Sequence, residues 1–367
     1  TSAWNAAAVL MSVLPSENWC RSTNWRKNCS ERRKRVSGVR DKLIVAPSPH
    51  IHSSRTTRTI MLDVIIALIP ALIAATIIFG PRALLLTGVC VVSCVVFEWL
   101  MCLALKKDVT IGDLSAIVTG IILSYNLPAE LPVWMAVIGS FVSIVIVKML
   151  FGGIGQNFAN PALVGRIVLF ISFSSAMTTW VEPFAHQYGL EGVTTATPLA
   201  MIRESRWTDI QDLLLGATGG CLGETCALAL LIGGVYLVIR RVISPVIPLT
   251  FVGTVAVGAG LPSLTDRLPI AWTSMDFILS HVLSGGLLLG AIFMATDYAT
   301  SPATKWGKVI FGCGCGLITI VIRLFGSYAE GVSFAILLMN ILTPYIEKAT
   351  APKVLGAAKA KKEGGKA

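Results

Sequence analysis

The chain has 367 residues, of which 54% are hydrophobic and only 14% are charged, and its formal net charge at pH 7 is +10. A soluble domain of this length would carry about a quarter charged residues, so the composition excludes an ordinary soluble protein. The apolar runs are continuous rather than alternating, which excludes a membrane β-barrel. The basic residues concentrate in the first forty positions, in short loops and in the tail, a distribution that argues against nucleic-acid binding.

Runs of about 18 or more apolar residues recur along the chain, long enough to cross a bilayer core as helices. We predict an all-α polytopic membrane protein with about ten transmembrane helices. The predicted spans are residues 60–79, 84–105, 111–123, 133–150, 161–173, 213–239, 246–261, 277–295, 309–325 and 332–346. They lie in a transmembrane domain, residues 43–348, between a basic cytoplasmic arm, residues 1–42, and a basic cytoplasmic tail, residues 349–367.

Some of the spans are predicted to be broken helices. The third and fifth are short and interrupted by Gly and Pro, and Pro245 and Pro248 mark the seventh. Such breaks persist at membrane depth only where the freed backbone groups face protein, ligand or water. In transporters, breaks in two related halves lie beside a mid-membrane binding site, so the pattern predicts a weak internal repeat.

The positions of Lys and Arg predict the orientation of the chain. One set of helix ends carries Lys106, Lys107, Lys148, Arg240, Arg241, Lys305 and Lys308. Because cytoplasmic loops are enriched in Lys and Arg, we predict that both termini are cytoplasmic and that the basic arm is placed to contact anionic lipid. The loop of residues 174–212 then lies on the outer face.

A polar motif in that loop, residues 191–199, reads EGVTTATPL. Thr197 is a good helix N-cap, and Pro198 suits the first helical position. One interpretation is a capped loop helix and nothing more. In the other, Thr197 carries a phosphate ester that the free N–H groups and dipole of the helix stabilise. These residues alone leave both open.

A second polar segment, residues 151–166, reads FGGIGQNFANPALVGR. Asn157 and Asn160 supply amide donors and acceptors, and Arg166 supplies a cation for an anionic edge. The segment is suited to hold a planar, hydrogen-bonding ring. The alternative is structural, since the asparagines can cap a broken helix and the glycines can permit close helix packing.

Two acids, Glu98 and Glu224, fall inside apolar spans, where a carboxylate is costly unless it is partnered. Each is interpreted either as a structural partner or as part of an ion path. The nine cysteines include no CxxC pair and the four histidines are scattered, so we predict no metal site in this chain, although an iron–sulfur cluster shared with a neighbouring subunit stays open. No nucleophile elbow or Walker loop is present, and no catalytic residue is predicted.

Several blocks in the same order carry a family resemblance. They read SPHIHSSRTTRTIMLDVIIALIPAL, FGGIGQNFANPALVGR, VTTATPLA, GETCALALLIGGVYL, TDYATSPAT and EGVSFAILLMNILTPYIE. The chain resembles the RnfD family, a membrane component of the Rnf electron-transport complex and a relative of the NqrB component of the sodium-pumping NADH:quinone reductase. The resemblance runs from about residue 43 to residue 348 and leaves the arm unexplained.

The resemblance implies a covalent flavin on this chain. The family motif Asp-x-x-Ser/Thr-Gly-Ala-Thr ends on the Thr that is esterified to the phosphate of FMN, which corresponds here to Thr197. Glu191 replaces the acid and Thr195 stands where Gly is common. In this family a flavin transferase attaches FMN outside the cytoplasmic membrane, which agrees with the orientation predicted from Lys and Arg.

The resemblance also implies a mechanism and partners. Electrons would pass from a second covalent FMN on another Rnf subunit to the FMN on Thr197 and then inward, through a noncovalent riboflavin that we place near Asn157, Asn160 and Arg166. The flow between ferredoxin and NAD would drive Na⁺ or H⁺ across the membrane, with those two substrates bound by other subunits. Two alternatives remain: a quinone-reducing subunit of a sodium-pumping reductase, and a secondary permease without cofactors.

Overall fold

The computed structural model describes residues 56–107, 109–187, 194–204, 209–264, 274–326 and 330–351. The predicted arm and nearly all of the predicted tail lie outside these ranges. The helices are α1 (Thr57–Phe79), α2 (Pro81–Leu105), α3 (Ser115–Tyr125), α4 (Val133–Met149), α5 (Pro161–Ser172), α6 (Ser174–Met177), α7 (Pro198–Arg203), α8 (Ile210–Leu215), α9 (Ala227–Ile239), α10 (Val246–Leu264), α11 (Ser274–Leu283), α12 (Leu287–Met294), α13 (Lys305–Phe325) and α14 (Val332–Thr350).

The all-α membrane class is confirmed over the described ranges. Four helices, α1, α2, α13 and α14, are long and apolar enough to cross a bilayer. The pair α11 and α12 forms a fifth candidate if the two helices, which are bent by 59°, count as one span. Five further apolar helices are shorter, at 10–17 residues. The number of ten spans therefore stays a prediction.

The helix breaks differ in part from those predicted. The helix α10 runs without interruption from Val246, because Pro245 precedes it and Pro248 lies in its first turn, where a missing N–H costs nothing. The prediction of a break there is wrong. The sixth span is also not one helix, since residues 216–226 separate α8 from α9. A further break, residues 284–286, separates α11 from α12.

Two non-helical segments pair with each other inside the bundle. The N–H of Leu222 donates to the carbonyl of Leu127 at 3.1 Å, and the N–H of Gly223 donates to the carbonyl of Tyr125 at 2.9 Å. The end of α3 and the segment before α9 thereby satisfy each other's backbone groups, as a break at membrane depth requires. Close packing makes Gly223 necessary, because an added Cβ would lie 2.3 Å from Tyr125 Cβ.

Helix packing depends on small residues at crossing points. A Cβ added to Gly120 of α3 would lie 2.7 Å from the Cα of Val91 in α2, and one added to Gly233 of α9 would lie 2.2 Å from the carbonyl oxygen of Ala67 in α1. Such contacts are typical of membrane helices, which gain little from the hydrophobic effect between helices and depend on close packing.

Contacts at the two ends of α1 show which features lie at each end of the bundle. At one end, Arg240 pairs with Asp63 at 3.2 Å and so joins the end of α9 to the beginning of α1. At the other end, the N–H of Phe184, in the loop before Thr197, donates to the carbonyl of Ile78 at the end of α1. The Thr197 loop therefore lies opposite the end that carries Arg240. Which end faces the cytoplasm stays a prediction.

Candidate functional site

Thr197 caps α7 in the predicted manner. Its backbone is extended, with φ −69° and ψ 154°, and its Oγ1 accepts from the N–H of Ala200 at 3.3 Å. Pro198 occupies the first helical position. The residues before Thr197 run alongside the segment that follows α6, since Thr194 forms an isolated antiparallel bridge with Val181. The loop therefore holds the hydroxyl in one place, and the side chain is buried.

Thr197 lines a cavity of about 200 Å³, here called the Thr197 cavity. Its other walls include the aromatic side chains of Phe170, Trp180 and Phe334, and the charged side chains of Arg166 and Glu330. The rings of Phe170 and Phe334 meet edge to face, with centroids 6.2 Å apart. Aromatic walls with a few converging polar groups are typical of a binding site for a planar organic molecule.

Arg166 lies at the centre of a polar network beside this cavity. Its guanidinium donates to Asn126 Oδ1 at 3.0 Å, to Ser333 Oγ at 2.8 Å and to Cys221 Sγ at 3.4 Å, and it forms an ion pair with Glu330. The network connects α5 to the end of α3, the segment before α9 and the beginning of α14. The prediction grouped Arg166 with Asn157 and Asn160, whereas the structure places it with Thr197.

The departure from the family motif at Thr195 has a structural counterpart. A Cβ added to Gly219 would lie only 2.3 Å from the methyl carbon of Thr195. Gly219 thus leaves room for the larger residue, and the N–H of Thr195 still donates to the carbonyl of Trp180 at 2.9 Å. The other departure, Glu191, lies outside the described residues.

A second cavity of about 100 Å³ lies at the opposite end of α5 and is here called the Asn157 cavity. Asn160 caps α5, its Oδ1 accepting from the N–H of Ala162 at 3.1 Å, and its Nδ2 donates to the carbonyl of Met294. The Oδ1 of Asn157 is buried and has no hydrogen-bond partner among the described residues. Asp297, in the loop after α12, also lines the cavity, and burial raises the pKa of its carboxyl above the ordinary value, more than hydrogen bonds from Ala299 and Thr300 lower it.

Glu98 has a buried cationic partner. Its Oε2 lies 2.6 Å from Lys148 Nζ, and its Oε1 accepts from Thr110 Oγ1 at 2.6 Å. Lys148 also donates to Ser115 Oγ at 2.7 Å. The side chains of Glu98 and Lys148 are only 1% and 3% exposed, so each charge depends on the other. Lys148 and Ser115 line the Asn157 cavity.

Glu224 lies at the break between α11 and α12. Its Oε1 accepts from the N–H of Cys221 at 3.0 Å, and a Cβ added to Gly286 would lie 2.7 Å from its Oε2. Gly286 precedes the first turn of α12, whose N–H groups and dipole favour a carboxylate. On the other side of the break, Arg323 donates to carbonyl groups at the end of α11, those of His281, Ser284 and Gly285.

Two of these residues, Arg323 and Glu330, were not predicted as site residues. Arg323 lies in the ninth predicted span, where a cation in an apolar helix signals a buried role. Glu330 lies in the EGVSF block that carried the resemblance. Neither signal reveals the partners of these side chains, because Glu330 pairs with Arg166, 164 positions away, and Arg323 binds carbonyl groups 38 to 42 positions away.

Comparison with known proteins identifies the family. Residues 44–356 match the profile described as the NQR2, RnfD, RnfE family. The D component of the Na⁺-translocating ferredoxin:NAD⁺ oxidoreductase complex of Acetobacterium woodii is 47% identical over 326 residues, which cover 88% of this chain and 98% of the relative. The proton-translocating counterpart of Clostridium ljungdahlii is 38% identical, over 85% of this chain and 96% of the relative. The D component of the ion-translocating oxidoreductase complex of Salmonella enteritidis is 34% identical, over 85% and 98%. The chain belongs to the NQR2, RnfD, RnfE family.

Proposed function

We propose that this chain is the membrane subunit of an ion-translocating ferredoxin:NAD oxidoreductase that passes electrons through an FMN esterified to Thr197 and a noncovalent riboflavin. The flow of electrons is coupled to the movement of Na⁺ or H⁺. The names of the relatives support the class of complex, since each is named as the D component of an ion-translocating oxidoreductase or of its ferredoxin:NAD⁺ form. The flavins are proposed from the motif and from the site.

One observation carries the proposal for FMN: the hydroxyl-bearing Thr197 and the cation Arg166 line the same aromatic cavity. A covalent flavin needs a fixed hydroxyl, a wall for its ring and a charge that matches its anionic groups. Thr197 supplies the first, Phe170, Trp180 and Phe334 supply the second, and Arg166 supplies the third. The flavin would supply the redox chemistry, while these residues determine its position and its electrostatic surroundings.

The riboflavin is proposed for the Asn157 cavity. The Oδ1 of Asn157, which has no partner among the described residues, can accept from a ring N–H, and buried polar groups in folded proteins are almost always hydrogen-bonded. Asn160 lies six residues before Arg166 on α5, which corresponds to about 9 Å along the helix axis. One helix thus borders both cavities, which supports a relay from the Thr197 cavity to the Asn157 cavity.

The proposed ion path includes Glu98 and Glu224. Both carboxylates are buried in the bundle, Glu98 at the end that carries Lys148 and Glu224 at the Thr197 end. Buried acids in membrane helices are expensive, and those that face the interior of a bundle are typical of ion paths. Because each is held by defined partners, movement of an ion past either one requires those contacts to change.

The proposed partners are the other Rnf subunits, including one that carries a second covalent FMN, together with membrane lipid and a flavin transferase. Ferredoxin and NAD bind to other subunits in this scheme. The chain is a multi-pass protein of the bacterial cytoplasmic membrane, with cytoplasmic termini and with the Thr197 loop on the outer face, where the transferase reaches it.

The attachment is tested with Thr197→Val, which removes the hydroxyl and retains the shape. The matched control is Thr179→Val, which changes an exposed threonine of the same loop that lies outside the motif. Both chains and the wild type are produced together with the flavin transferase. We expect in-gel flavin fluorescence after denaturation in the wild type and the control and none in Thr197→Val, and mass spectrometry of the peptide containing Thr197 to show the added FMN. A fluorescent Thr197→Val band would refute the assignment.

The family description names NQR2 beside RnfD and RnfE. A second candidate function is therefore that of a quinone-reducing subunit of a sodium-pumping reductase. Membranes that contain the assembled complex decide between the two. Ferredoxin-dependent reduction of NAD⁺ supports the proposal, whereas quinone reduction by NADH without a ferredoxin requirement supports the alternative.

A further inference from the structure

A third and much smaller cavity lies at the break between α11 and α12 and adjoins Thr197. Its volume is about 10 Å³, which is room for a single water-sized occupant. Its polar walls come from Thr197, Thr218, Glu224, Thr225, Ser284 and Glu330. We call it the break cavity.

Two oxygens of the residues that line the break cavity have no partner among the described residues: Thr225 Oγ1 and Glu330 Oε1. Thr225 is only 4% exposed, so bulk water does not satisfy its hydroxyl. Buried polar groups in folded proteins are almost always hydrogen-bonded, and exceptions at a polar cavity indicate a ligand or an ordered water. Glu330 Oε1 is a second such acceptor, since only the other carboxylate oxygen, Oε2, is paired with Arg166.

The polar side chains that line the break cavity can supply only oxygen atoms as ligands. The nearest sulfur, Cys221 Sγ, is engaged by Arg166 and donates to the carbonyl of Asn126 at 3.4 Å. Carboxylate and hydroxyl oxygens select hard cations, whereas a soft metal would need a free thiolate. Broken membrane helices offer the same setting, with an unwound segment beside a coordinated Na⁺.

The local charges favour a cation only when the flavin is attached. Arg166 pairs with Glu330, and the guanidinium of Arg323 binds the carbonyls of Ser284 and Gly285 at the same break as Glu224. The formal charges of these two acids and two arginines sum to zero. A phosphate ester on Thr197 adds negative charge at the wall of the break cavity. One monovalent cation compensates for that charge at a cost lower than that of leaving it buried alone.

We propose that the break cavity binds one Na⁺ next to the flavin phosphate on Thr197, with Glu224, Glu330 and Thr225 supplying oxygen ligands. This inference rests on the proposed function, since the phosphate provides the charge that the cation balances. By linkage, bound Na⁺ and the charge state of the flavin affect each other's equilibria. The site thus gives a physical means of coupling an ion to the redox state of this chain.

The test measures binding of ²²Na⁺ to the full chain, purified in detergent after production with the flavin transferase. We expect one saturable Na⁺ site per chain. Thr225→Val and Glu224→Gln should each weaken the binding by at least about tenfold, because loss even of a residue that only orients a metal ligand typically costs 10- to 100-fold in affinity. Thr197→Val, which lacks the phosphate, should lose the site.

The matched control is Thr319→Val, which removes another fully buried hydroxyl that has no partner in the described part of the chain and does not line the break cavity. It should bind Na⁺ like the wild type. In-gel flavin fluorescence is recorded for every variant, which separates the two levels of the proposal. A fluorescent wild type that binds no Na⁺, or binds it equally well in Thr225→Val and Glu224→Gln, overturns this inference and leaves the flavin assignment intact. Absence of fluorescence from the wild type overturns the flavin assignment instead.

Discussion

The buried ion pair between Glu98 and Lys148 allows a structural role of Glu98 to be separated from a role in the ion path. Both side chains are almost fully enclosed, and the charged atoms lie 2.6 Å apart. Removal of one partner leaves the other charge buried and unpaired, which costs about 3–5 kcal/mol. The double variant Glu98→Gln with Lys148→Met leaves no buried charge. Such replacements are often neutral or stabilising by about 1–4 kcal/mol, so the double variant should be at least as stable as the wild type.

The measurement is a double-mutant cycle on the free energy of unfolding in detergent, combined with Na⁺ or H⁺ transport by the reconstituted complex. We expect each single variant to be strongly destabilised and the double variant to recover its stability without recovering transport. Asp63→Asn is the control, because its partner Arg240 is half exposed and the pair should contribute only about 0–1 kcal/mol. If the single effects simply add in the double variant, the ion pair does not hold the two helices together as argued. Recovery of transport along with stability would remove Glu98 from the ion path.

Two further predictions concern the loop of Thr197 and the loop after α12. Gly219→Ala should destabilise the chain by about 1–3 kcal/mol, because the new methyl group overlaps that of Thr195, and Thr195→Gly should restore both the thermal midpoint and the yield of attached flavin. If the second change gives no rescue, the overlap is not the cause. The raised pKa of Asp297 means that the folded chain keeps this proton to a higher pH than the unfolded chain, so stability should fall as the pH rises above the ordinary value of 3.8. Asp297→Asn should remove that fall, and thermal midpoints that decline equally in both chains would contradict it.

The sequence by itself determined the class of the protein and its local structure. Continuous apolar runs can be satisfied in a membrane only as helices, so the helical class followed from composition. The cap at Thr197, with Pro198 behind it, was also predictable, because capping depends on a few adjacent residues. The family followed from ordered blocks of sequence and is confirmed by the match over residues 44–356.

Only the tertiary structure decided which polar residues act together. Arg166 was expected beside Asn157, its near neighbour in sequence. In the structure its side chain instead pairs with Glu330 and lines the Thr197 cavity. The two breaks that the sequence did not predict, residues 216–226 and 284–286, contain no proline, so Pro248 was a misleading guide. Such breaks are stabilised by residues from other helices. Arg323 of α13, for example, donates hydrogen bonds to the carbonyl groups at the end of α11. Long-range pairing of this kind depends on how the helices pack, and no local pattern in the sequence specifies it.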